Sequence, residues 1–236
     1  MALPKLNNTP YYDVTIPSTG EKTRYRPYLV KEEKVLLMAS ETEDDHAMSE
    51  AMLSLICDCV EGTNRYKLTS FDIQYLFLQL RSKSVGETST LLFTCNCQHE
   101  NKVIIKISDI NVEVPEDKKD KVKLSEDMTV ELKYPTYSSL ITDKIIRYSE
   151  SATELMYQSV MLSLDALQVK DERMIFAEEP LEDIVEFVGN LSTEQFAKLT
   201  EFTNSIPQLK HVIEYTCAKC KTVNKSTVEG TADFFI

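Results

Sequence analysis

Two short cysteine pairs set the tightest limit on how this chain can fold. Cys95 and Cys97 lie in LLFTCNCQHENKV, and Cys217 and Cys220 lie in HVIEYTCAKCKTVNK. Each pair falls where one β-prone run ends and another begins, a turn that can aim two thiolates at one point. Two such turns supply four soft donors, the number a tetrahedral structural zinc site needs. The 120 positions between them (217 − 97) weigh little against closure, because loop entropy grows only with the logarithm of length. The spacing predicts a zinc-ribbon-like clasp in which Cys95, Cys97, Cys217 and Cys220 hold a structural Zn2+ and the two halves enclose a long insertion.

Cys217-x-x-Cys220 has the usual knuckle spacing, whereas Cys95-x-Cys97 is one residue short. Either His99 replaces one of the first pair, or a CxxC turn has lost a residue and the backbone compensates. The competing readings are four unconnected thiols and a redox pair at Cys217–Cys220. A thioredoxin-type pair starts a helix, and here a Thr- and Val-rich strand follows instead. Cys57 and Cys59 sit on a predicted amphipathic helix, where a CxC spacing points the thiols apart. They are not counted as ligands, and Cys59 reads as a small buried apolar residue.

The N-terminus lacks a signal-peptide pattern, so six cysteines point to a reducing compartment, where metal binding outranks disulfides. No run approaches about 18 apolar residues, so no membrane span is expected. With 5 Gly in 236 residues, there is no glycine-rich phosphate loop of the dinucleotide-binding or Walker type. His46 and His211 have no neighbouring pattern that suggests a nucleophile triad, and the acidic residues show no paired spacing for acid–base work. The chain is therefore expected not to be an enzyme. A nucleic-acid-binding zinc-ribbon accessory protein is the alternative, since Lys102, Lys106, Lys210, Lys219, Lys221 and Lys225 lie near the knuckles. The net charge of -12 and the lack of interleaved aromatics argue against it.

The periodicities predict an α+β fold: zinc-ribbon-like β elements formed by the two distant knuckles, an N-terminal β-hairpin and two helical segments. The expected divisions are a hairpin arm (1–30), a first helical segment (31–90), a half-ribbon with a β-meander (91–135), a second helical segment (136–209), and a second half-ribbon with an apolar tail (210–236). Within them, Pro17-Ser18-Thr19-Gly20 marks the hairpin turn, and helices are expected over 31–39, 47–60 and 71–81. The meander is expected to take in 111–114 and 128–134, with Met128, Val130, Leu132 and Tyr134 on one face. The longest helix is expected over 151–169. Ser192-Thr193-Glu194-Gln195 reads as a capping box for a later helix.

Four stretches, taken together, resemble one family. They are the opening MALPKLNNTPYYDVTIPSTGEKTRYRPYLVKEEKVLLMA, LRSKSVGETSTLLFTCNC, VELKYP, and the ending HVIEYTCAKCKTVNKSTVEGTADFF. They are similar to the baseplate hub and hub-assembly proteins of T-even-type contractile-tail bacteriophages, whose members typically carry a cysteine pair at each knuckle. The resemblance implies a late viral protein without catalytic activity, either a hub subunit of the virion tail or an assembly chaperone. It further implies hub and tape-measure proteins as partners, assembly in the host cytoplasm, and a final place in the tail baseplate. From the residues themselves, Tyr25, Arg26, Pro27 and Tyr28 are the first candidates for a partner-facing surface, because Tyr and Arg are enriched in interface cores. The competing reading packs these side chains between the hairpin and the first helix. Phe234 and Phe235 in the tail are the second candidates.

Overall fold

The computed structural model of the chain describes residues 9–42, 44–112, 114–115, 120–142 and 151–229. In chain order the elements are β1 (Tyr12–Thr15), β2 (Lys22–Tyr25), α1 (Val30–Ser40), α2 (Asp45–Cys59), α3 (Ser70–Ser84), β3 (Thr88–Thr94) and β4 (Glu100–Lys106). There follow β5 (Lys121–Lys123), β6 (Met128–Leu132), α4 (Tyr137–Thr142), α5 (Ala152–Ser163), β7 (Leu164–Val169) and β8 (Glu172–Ile175). The chain closes with α6 (Leu181–Gly189), α7 (Thr193–Asn204), β9 (Lys210–Thr216) and β10 (Val223–Glu229). The fold is mixed α+β, and the chain divides into two compact units.

The first unit comprises residues 1–65, 71–114 and 208–236. The β1–β2 hairpin turns at Gly20, whose φ of 71° needs a residue without a Cβ. The end of α2 extends the hairpin, since Arg26 N–H donates to Cys59 O (3.0 Å) and Glu61 N–H donates to Arg24 O (2.8 Å). The deepest side chains belong to α2 (Leu53, Ile56) and to α3 (Phe71, Leu76, Phe77, Leu78, Leu80). A helix apolar on most sides must be enclosed on most sides, and α3 is. Two further hairpins, β3–β4 and β9–β10, are antiparallel pairs seven residues long. They occupy the stretches in which the cysteine-flanking strands were expected.

The second unit comprises residues 66–70 and 115–207. Its antiparallel sheet runs β5-β6-β7-β8 and shares a core with α5, α6 and α7. Val130 and Leu132 of β6 are buried in this core, with Met128 and Tyr134 packed against it, as the alternation predicts. Ser192 caps α7 by the expected box: its Oγ accepts from Gln195 N–H (3.2 Å), and its own N–H donates to Gln195 Oε1 (2.9 Å).

Two expectations are corrected here. The helix expected over 151–169 stops at Ser163, and Leu164–Val169 is the strand β7 between β6 and β8. Two flanking strands hydrogen-bond it along its length, which outweighs the helix propensity of Leu, Ala and Gln. No strand forms at residues 111, 112 and 114; the meander is completed by β7 and β8 instead.

Candidate metal centre

The first unit brings the four cysteine thiols of the two distant hairpins together. Cys95 Sγ lies 3.6 Å from Cys220 Sγ, and Cys97 Sγ lies 3.7 Å from Cys217 Sγ. All four sulfurs lie within 4.8 Å of one another. Sulfurs about 2.3 Å from a central zinc at tetrahedral corners would lie about 3.8 Å apart, so the cluster has the size of a zinc-thiolate tetrahedron. No two of them form a disulfide. Cys95 and Cys217 are buried and Cys220 is exposed, which places the cluster at the edge of the unit.

The two knuckles are built alike. In the second, Cys217 N–H donates to Thr222 O (2.9 Å) and Lys221 N–H donates to Cys217 O (3.0 Å). In the first, Cys95 N–H donates to His99 O (3.0 Å) and Gln98 N–H donates to Cys95 O (2.8 Å). In both, the residue after the second cysteine takes a left-handed conformation, with φ of 60° at Gln98 and 62° at Lys221. The first knuckle is therefore the second with one residue removed between its cysteines and the closing bonds kept. This is the compensated turn, the second of the alternatives raised by the CxC spacing. The ring of His99 is not among the clustered donors, and its carbonyl closes the turn.

The thiol environment is electrostatically frustrated. Hydrogen bonds from the Thr222 hydroxyl and backbone N–H pull the Cys220 thiol down to about 6. The backbone N–H of Cys220, helped by that of Lys219, holds Cys217 below the ordinary thiol value. The His99 backbone N–H favours a thiolate at Cys97, yet burial and the sulfurs of Cys220, Cys217 and Cys95 push that thiol up to about 11. Four thiols so close cannot all shed their protons without a cation between them, and a divalent soft ion relieves that conflict. The donor set and its spacing fit zinc.

Asn101 on β4 braces the two hairpins, and the cysteine spacing gives no hint of it. Its Nδ2 donates to His99 O (3.0 Å), its Oδ1 accepts from Ala218 N–H (2.9 Å), and Nδ2 lies 3.7 Å from Cys217 Sγ. One buried amide thus ties the backbone of the first knuckle to that of the second. A sequence signal existed. In ENKVIIK, Asn101 shares the alternation of Val103 and Ile105, the inward side of the strand, where an amide needs bonding partners. Phe93 stacks on Tyr215 with centroids 5.3 Å apart and adds an apolar contact between β3 and β9.

The remaining candidates are placed as follows. Cys59 is buried and its thiol is pushed up to about 11, chiefly by burial, which leaves it unreactive. Tyr25 is 3% exposed and packs on Tyr12 at 5.7 Å. Arg26 is paired with Glu32 (3.0 Å), whose Oε2 also accepts from Leu29 N–H (2.6 Å) at the start of α1. Pro27 and Tyr28 are half-buried. Phe234 and Phe235 lie outside the described residues. No helix among the described residues is long and apolar enough to cross a membrane.

The fold and the cluster define a class: an α+β protein in which four cysteines, close enough to hold a metal ion, join two distant hairpins. A family model described as "T4 bacteriophage base plate protein" matches residues 9–236, and the chain belongs to that family. It is accordingly a structural component of a phage tail baseplate, with other phage tail proteins as its partners. No curated protein and no solved structure matches the chain.

Proposed function

We propose that this protein is a non-enzymatic component or assembly factor of the baseplate hub, which binds hub and tape-measure proteins during assembly in the host cytoplasm. We further propose that Cys95, Cys97, Cys217 and Cys220 hold a structural Zn2+ and make the two hairpins a zinc-ribbon-like clasp. The observation that carries the functional reading is the family match across nearly the whole chain. The zinc reading is supported by the sulfur spacing of 3.6 and 3.7 Å. Four thiolates would complete the tetrahedron, so the ion would have no open position for water or substrate, in line with a non-catalytic role.

The test disrupts the gene in the phage and examines tails by electron microscopy, alongside mass spectrometry of purified wild-type tails and of assembly intermediates. The expected result is loss of completed baseplates. Recovery of the chain from finished tails marks a retained subunit, and recovery from intermediates alone marks an assembly factor. Infectious particles with normal baseplates in the disrupted strain would refute the proposal.

A further inference from the structure

Helix α1 turns charge inward and apolar side chains outward. It packs on α2, and its buried residues are Glu32 and Leu36. Glu32, 7% exposed, pairs with Arg26 (3.0 Å) and accepts from Leu29 N–H (2.6 Å). On the other side Val30, Val35, Leu37 and Met38 are 80, 52, 59 and 58% exposed. A surface helix ordinarily buries its apolar stripe and leaves charge in water. Single apolar side chains scattered over a surface need no explanation, but four on one short helix make a contiguous patch, the mark of an interaction site.

Helical spacing places these residues together. Val30, Lys34, Leu37 and Met38 follow the i, i+4, i+7, i+8 spacing of one helix side, and Lys31 and Val35, one turn apart, extend it. The 11 residues of α1 rise about 16 Å, the length over which a helix anchors in a groove of another protein. Lys31 and Lys34 are exposed, whereas Glu32 is buried and Glu33 half-buried, so this face is positive in a chain of net charge -12. Complementarity selects the occupant, an apolar groove bordered by Asp or Glu. A second copy fits poorly. Pairing two such helices about a two-fold axis would bring Lys34, at the middle of the face, against the same lysine of the other copy.

We propose that the outward face of α1, formed by Val30, Lys31, Lys34, Val35, Leu37 and Met38, docks in an apolar groove rimmed by carboxylates on another baseplate protein. This rests on the baseplate reading above and assigns it a contact. In the free protein, Leu37→Gln combined with Met38→Gln keeps helix propensity and leaves the buried side of α1 intact, so the thermal midpoint should be unchanged. Side chains that serve the fold would instead lower it on replacement. In the phage, the double variant should reduce plating about 100-fold or more, since losing two interface anchors weakens a contact by at least that factor. A photocrosslinker at Val35 in assembling tails should capture a different tail protein, at a segment that mixes apolar and acidic residues, and Lys34→Glu should abolish that capture. Normal plating of the double variant in a phage that requires the gene overturns this site and leaves the baseplate reading standing. A lowered midpoint, no capture, capture of a second copy of this chain, or capture that survives Lys34→Glu overturns it as well.

Discussion

Chelating the Zn2+ proposed for the cysteine cluster is the perturbation with the largest expected effect. A crosslink between Cys97 and Cys217 closes a loop of 120 residues (217 − 97). The chain-entropy relation used for disulfides assigns such a loop about 5 kcal/mol. The Phe93–Tyr215 stack and the Asn101 bonds persist without metal and hold part of the closure, so the loss should be about 4–5 kcal/mol. Single domains have only about 5–15 kcal/mol in total, so the first unit would be left marginal. At about 3–4 °C per kcal/mol for a domain of this size, its transition should fall by about 15 °C.

The assay is calorimetry of tag-free protein kept under reductant, before and after chelation, with metal content measured on the same samples. One equivalent of zinc is expected before chelation. The Cys217→Ser variant should reproduce the chelated curve, because three thiolates and a hydroxyl hold zinc poorly. A transition belonging to the second unit should not move, since no cysteine lies in that unit. Less than about half an equivalent of zinc, together with an unshifted midpoint in Cys217→Ser, would falsify the clasp.

Other expectations follow from particular contacts. Asn101→Ala should weaken zinc about 10–100-fold in chelator competition while leaving the four sulfurs in place, because it removes the brace and not a donor. Burial favours the neutral form of Glu32, but the Arg26 guanidinium and Leu29 N–H outweigh it and hold the carboxyl below the usual range. Its contribution is therefore present above the unfolded value of about 4.3 and is lost as pH falls through the folded value. Glu32→Gln should flatten that acid limb in pH-dependent melts and cost about 2–3 kcal/mol near neutrality. Leu199→Ala, at a side chain with no exposure in the second unit's core, should cost about 3 kcal/mol in denaturant titration.

Sequence patterns located most of what builds the cluster. The β-prone runs expected on either side of each cysteine pair are β3, β4, β9 and β10. These strands flank the cysteines and alternate largely between inward and outward positions, so local signals agree with the fold. Two features were hidden for different reasons. Leu164–Val169 carries helix-favouring residues, and its conformation is decided by β6 and β8, one of them more than 30 positions away in sequence. The alternation turns the Asn101 amide inward, but its partner, Ala218, lies 117 positions away and no local pattern names it. Tyr25 shows the opposite hazard. Its composition suits an interface as well as it suits the core, and only packing separates the two.

The short first knuckle bears on how such a site tolerates change. Cys95-x-Cys97 and Cys217-x-x-Cys220 differ in length, yet each keeps the two closing hydrogen bonds and a left-handed residue after its second cysteine. Those features set where the sulfurs point, and the residues between the cysteines matter less as long as the turn closes. The same independence holds for the chain between the knuckles. The second unit occupies most of that interval, and doubling such an interval costs only about 0.6 kcal/mol in closure entropy. A node of four thiolates would fix β3–β4 against β9–β10 whatever is inserted between them. The inserted unit is then free to change its surface without loosening the first. For a subunit or assembly factor that must meet several tail proteins, this separates the part that holds the fold from the part that can be altered to suit a partner.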